Sequence, residues 1–131
     1  MSEQDNVAAI SKIFEAFGKG DIPYIIGQLH DDVRWIVYQD KVVPTSGDWS
    51  GKAKVPGFFQ AIGDNIDVTA FVPREFIAQG DAVVSLGDLD FTVRRNGKSG
   101  TSQWIFVWKL RDGKVSSYVQ FHDASLADAF R

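Results

Sequence analysis

From residue 82 to residue 123 apolar and polar side chains alternate, and two dipeptides interrupt the run, Asn96-Gly97 and Asp112-Gly113. Alternation of period two predicts strands, and Asn-Gly and Asp-Gly accept the positive φ angles of a two-residue hairpin, so the stretch predicts three consecutive antiparallel strands. Two-residue loops pair Arg95 with Lys98 and Arg111 with Lys114. Counting back places Leu89 opposite Trp104 and Trp104 opposite Phe121. One face then collects Leu89, Phe91, Val93, Ser102, Trp104, Phe106, Trp108, Val119, Phe121 and, at its end, Asp123. The other collects Asp88, Asp90, Thr92, Arg94, Gln103, Ile105, Val107, Ser116, Tyr118, Gln120 and His122. A bulge in either hairpin would exchange the faces of one strand.

Upstream the period changes. Val7, Ile10, Ile13, Phe14 and Phe17 recur at helical spacing, which predicts an amphipathic helix over 3–18, capped by Ser2 with Asp5 and stopped by Gly18 and Gly20. Asp21 opens a second, shorter helix carrying Ile22, Ile25, Ile26 and Leu29, with Pro23 tolerated in the first turn. Val33 to Tyr38 alternates as a first strand, and 39–54 has the Pro, Gly, Ser and Asp content of a long loop, of the kind that often lines the mouth of a site. Pro56 suits the start of a third helix bearing Phe58, Phe59 and Ile62. Asp67 to Gln79 reads as a long strand bent at Pro73. The order of helix, helix, strand, helix and four strands predicts an α+β domain spanning 1–131, with helices gathered on one side of an antiparallel sheet.

Composition narrows the chemistry. At 131 residues, 44% hydrophobic and 24% charged, the chain suits one soluble domain with its own core. A net charge of −3 without a Lys/Arg run argues against nucleic acid or an anionic membrane as partner, and the polar, acidic start leaves the cytoplasm as the expected location. Cysteine is absent, so thiol catalysis and thiolate metal sites are excluded. The two histidines, His30 and His122, are far apart with no metal-ligand spacing, and no phosphate loop, nucleophile elbow or dinucleotide fingerprint is present; neither metal nor cofactor is expected. Ten Phe, four Trp and three Tyr suggest a roomy apolar interior.

Several strings, taken with the element order, resemble the superfamily of nuclear transport factor 2, ketosteroid isomerase and the SnoaL-like polyketide cyclases. They are Gly20-Asp21, Asp31-Asp32-Val33-Arg34-Trp35, Trp49-Ser50-Gly51-Lys52, Gly80-Asp81-Ala82-Val83-Val84, Asn96-Gly97-Lys98, Arg111-Asp112-Gly113-Lys114-Val115 and Phe121-His122-Asp123-Ala124. The resemblance covers the full chain, is closest to the SnoaL-like proteins, and departs from their pattern at Leu86, where relatives carry an acid. It implies a cone: a curved antiparallel sheet closed on its concave face by three helices, with a convex face that relatives use to dimerise. The aromatic face then becomes the pocket wall, with Trp35, Phe59, Phe91, Ser102, Trp104, Phe106 and Phe121 as lining.

The same resemblance makes Asp123 the general acid/base, with a pKa raised by its aromatic surroundings. Its competing role is to cap the last helical turn. Tyr38 is a candidate oxyanion donor, with Tyr118 as an alternative that the residues alone do not separate from it. Asp88, Asp90 and His122 form a second acid/base set, on the face assigned to solvent or a dimer partner. The expected protein is a homodimer. It acts on a small or medium hydrophobic carbonyl compound by cofactor-independent proton transfer, or holds such a ligand unchanged. The missing Tyr on the first helix, where Phe14 and Phe17 stand, disfavours steroid isomerisation.

Overall fold

The computed structural model describes residues 2–131 and bears out the α+β cone. Helix α1 (Glu3–Lys19) begins in a reciprocal capping box, Ser2 Oγ accepting from Asp5 N at 3.0 Å and Asp5 accepting from Ser2 N at 3.1 Å. It ends at Gly20 in the left-handed region (φ 72°). Helix α2 (Ile22–Gly27) is capped by Asp21. The first strand starts earlier than its alternation indicates, β1 being Leu29–Tyr38. The long loop contributes a two-residue strand, β2 (Gly47–Asp48), before α3 (Val55–Asn65). Then come β3 (Ile66–Gln79), β4 (Ala82–Val93), β5 (Ser99–Arg111), β6 (Lys114–His122) and a fourth helix, α4 (Ser125–Phe130).

The six strands lie in the order β2-β1-β6-β5-β4-β3. Two details differ from the expected architecture. The β1–β6 pair is parallel, because the β2–α3–β3 excursion and the β4–β5 hairpin intervene and bring β1 alongside the last strand in the same direction. Helices number four rather than three, since the terminal turn closes as a helix against β5 and β4. Register shifts in β3, between Val68 and Ala70 and between Pro73 and Glu75, bend that strand around the cone. Among the described residues no helix is long and apolar enough to cross a membrane.

Helix α1 lies across β3 and β4 and buries Ile10, Ile13 and Ala16, while Val7, Phe14 and Phe17 pack at the core's edge. Phe14 meets Phe71, Trp104, Phe106 and Trp108 at ring-centroid distances of 5.5, 5.8, 6.3 and 5.8 Å. On the sheet side Trp104 lies over Gly87, whose missing Cβ would fall 2.3 Å from the indole and 2.3 Å from the Val72 carbonyl oxygen. Only glycine leaves that room.

Candidate functional site

The two hairpins treat register differently, and the site follows from that difference. The β4–β5 turn is wider than two residues, with Thr92 pairing with Ser99 and Leu89 with Ser102 rather than with Trp104. The register is displaced by two residues, an even number, so every side chain on β4 and β5 keeps its expected face. The β5–β6 turn is the expected tight one, with Asp112 and Gly113 at φ 54° and 77° and Arg111 opposite Lys114. One step later β6 bulges at Ser116, whose hydroxyl donates to the Lys109 carbonyl at 3.2 Å. Beyond the bulge Trp108 pairs with Tyr118, and Trp104 with His122 rather than Phe121.

An odd displacement exchanges faces, so β6 is corrected throughout. Tyr118, Gln120 and His122 turn into the cone; Phe121 turns out, 41% exposed, and stacks on Tyr38 at 5.2 Å. Tyr38, 51% exposed on the convex side, is thereby corrected from oxyanion donor to surface residue. Asp88 and Asp90 stay on the outer side, Asp88 paired with Arg74 and Asp90 accepting from Thr101 Oγ1 at 2.7 Å; neither joins His122. Trp35, Phe59 and Phe106 line the cavity, whereas Phe91 and Trp104 are buried packing and Ser102 lies buried behind His122.

The interior cavity is walled by Phe14 and Phe17 of α1, Phe58 and Phe59 of α3, Trp35 of β1 and the β4–β6 sheet. Thr45 of the long loop reaches it as well. Its volume is about 80 Å³ measured at the centre of a water-sized guest. That is a small space beside the roughly 300–1,000 Å³ of drug-sized ligand sites, and it limits any guest to a small molecule. The walls are almost wholly apolar, and the polar atoms gather on one inner strip of β6. Tyr118 OH donates to Gln120 Oε1, Gln120 Nε2 lies 2.6 Å from His122 Nε2, and His122 Nδ1 lies 3.1 Å from Ser102 Oγ. Burial pushes the Tyr118 phenol well above its usual pKa, so it stays protonated and can donate. The Trp35 indole N–H is buried with no partner in a residue that lines the cavity.

Asp123 stands outside this cavity, on an outer groove with Ile36, Tyr38, Asp48 and Arg131; His122 alone of the strip touches both spaces. The Asp123 carboxylate accepts from Gln103 N, Ser102 Oγ and Ser125 N, each at 3.0 Å. Burial on its own would raise its pKa, but these donors together outweigh it and hold the group below the ordinary carboxylate value. The expectation of a raised pKa is corrected accordingly, and the Ser125 contact is the turn-capping role weighed against catalysis.

Burial, opposed in part by the nearby Asp123 charge, lowers the His122 pKa from 6.5 to about 4. An unfolded histidine therefore binds a proton through a window in which the folded one refuses it. The stabilisation is complete above pH 6.5 and is lost as pH falls toward 4. The loss expected is on the order of 3 kcal/mol, from about 1.4 kcal/mol per pKa unit. Urea titrations near pH 7 and near pH 4.5 measure it, and His122→Asn should remove most of the difference; an equal difference in the variant would refute this origin.

Among the described residues no three His, Asp or Glu side chains cluster as a metal site. Residues 10–118 match the family model of the SnoaL-like domain. No curated protein matches the sequence. Among solved structures, an NTF2-like protein from Burkholderia xenovorans LB400 is 28% identical with a TM-score of 0.90, over 100% of this chain and 99% of that one. An NTF2-like protein of unknown function from Burkholderia pseudomallei K96243 is 28% identical, TM-score 0.85, over 97% and 95%. TerC, co-crystallised with polyporic acid, is 27% identical, TM-score 0.85, over 96% and 98%.

Proposed function

The chain belongs to the SnoaL-like domain family, and from that premise we propose that it is a cofactor-independent enzyme moving a proton on a small, largely apolar carbonyl compound held inside the cone. The observation that carries this reading is the neutral His122 at the end of a polar strip in an otherwise apolar cavity. In this reading His122 is the base that removes the proton. The Trp35 N–H, with the Gln120 amide N–H, holds the carbonyl oxygen as negative charge develops on it. A base of depressed pKa is a weak one, which restricts the substrate to carbons already acidified, such as one flanked by a carbonyl and an aromatic ring. The co-crystallisation of TerC with polyporic acid supports a small organic molecule as occupant.

The test uses 2-tetralone, whose C1 protons are both benzylic and α to a carbonyl. Proton NMR in D₂O should show their exchange accelerated by the wild-type protein. Saturable binding of 2-tetralone without acceleration would favour the second reading, a binding protein of the same fold, for which the mostly apolar wall speaks.

We propose further that the convex face forms a homodimer. Phe121 of β6 pairs with Tyr38 of β1 on one side and Ile105 of β5 on the other, all three more than 40% exposed, and they form one apolar row where the strip of Tyr118 and Gln120 had been expected. Stable contacts bury roughly 800 Å² per partner. Light scattering at micromolar concentration should give twice the 14.5 kDa chain mass, and Phe121→Asp should return it to the monomer. A wild-type monomer would remove the proposal.

A further inference from the structure

Ser102, wholly buried, and Asp123, exposed to the outer groove, are joined to His122 by hydrogen bonds that have only one consistent direction. The direction is set at the Asp123 end. Its carboxylate, receiving the Gln103 and Ser125 N–H groups, is ionised and can only accept. The Ser102 hydroxyl has that carboxylate at 3.0 Å and, as competitor, the Gln103 carbonyl at 3.5 Å, so its single proton goes to Asp123. With its proton committed, Ser102 Oγ can only accept from His122, and the ring must carry its proton on Nδ1. In a neutral imidazole Nε2 is then an acceptor, so the Gln120 atom 2.6 Å away must be its amide nitrogen. The Gln120 oxygen consequently faces Tyr118 and takes the phenol proton. One carboxylate outside the cone thus orders four side chains that lead into it.

We propose that Ser102 and Asp123 are positioning residues that lock His122 in the Nδ1–H tautomer and so present its Nε2 lone pair, now occupied by the Gln120 amide, to the cavity. This rests on the reading of His122 as the base. A ligand proton donor would replace the Gln120 N–H at Nε2, and the freed amide would then be available to the ligand's oxygen. In the opposite tautomer Nε2 would carry a hydrogen and could accept nothing from a substrate.

Long-range ¹H–¹⁵N correlation spectra of the ligand-free protein near neutrality test this. There are only two histidines. His30 is an internal reference, because its Nε2 lies 2.6 Å from the Arg111 carbonyl and must be protonated. The wild type should show opposite tautomers, Nε2–H for His30 and Nδ1–H for His122. Ser102→Ala should move the His122 Nδ1 resonance toward the unprotonated position while His30 stays unchanged. Asp123→Ala should move it the same way, since it removes the acceptor that holds the Ser102 proton and frees the hydroxyl to donate to Nδ1; this variant decides if Ser102→Ala does not fold. An Nε2–H His122 in the wild type, or an unchanged His122 in the variants, overturns the proposal. The spectra need no substrate, so a failure of 2-tetralone exchange with the tautomer pattern intact would strike the base assignment alone.

Discussion

His122→Asn is expected to lower the rate of 2-tetralone proton exchange by about 10²- to 10⁴-fold, the usual contribution of a positioned acid/base group. Asparagine is the chosen replacement because its amide can still donate to Ser102 as Nδ1–H does, while the ring nitrogen facing Gln120 is lost. The fold and the affinity for 2-tetralone should survive, so the loss should fall on the rate at saturation rather than on the half-saturating concentration. The wild-type profile against pH carries a second signature. A free histidine would lose activity as a base below 6.5, whereas His122 should hold its rate until it protonates near its depressed pKa of about 4. Asp123→Asn should lower the rate by less, because the imidazole stays in place although its tautomer is no longer held by Ser102. If His122→Asn retained wild-type exchange and Asp123→Asn abolished it, the base would be Asp123 after all.

Trp104→Ala is expected to cost 3–5 kcal/mol of folding stability, as truncation of a buried Trp does. The indole is 1% exposed and stacks on Phe71 at 4.9 Å with an interplanar angle of 6° and on Phe106 at 4.1 Å with 14°, the two phenyl rings themselves meeting at 6.2 Å. Its N–H has no partner among the described residues, so the deletion removes packing and leaves no new orphaned polar group. The void would open above Gly87, where the neighbouring backbone has no side chain to move in, and collapse of the site is therefore limited. Against the 5–15 kcal/mol typical of a domain this is a large fraction. The denaturant midpoint should fall with the slope unchanged; a loss below about 1 kcal/mol would mean that Phe71 and Phe106 close the gap.

Most of the architecture was legible along the chain because it is written in local chemistry. The capping box at Ser2 and Asp5, the stop at Gly20, the N-cap at Asp21 and the positive-φ turn at Asp112-Gly113 all act within a few residues of where they are read. Alternation placed Leu89, Phe91, Trp104, Phe106 and Trp108 on one face, and an error of two in the first hairpin left that assignment intact. The site was less legible. Ser116-Ser117 puts two polar residues in succession between Val115 and Tyr118, a break in alternation that hints at the bulge, but a polar pair is equally at home on an exposed stretch of regular strand.

The chain by itself therefore determined the main helices and strands, the family and the apolar character of the cone, since each depends on period, turn residues and local strings. Only the tertiary structure decided which β6 residues enter the cone. A strand's side chains are assigned to faces modulo one residue, and that residue was settled where β6 bulges at Ser116 while pairing with β5 on one edge and in parallel with β1 on the other. The one-residue step moved Phe121 outward, set Asp123 on the outer groove, and brought Tyr118, Gln120 and His122 together inside.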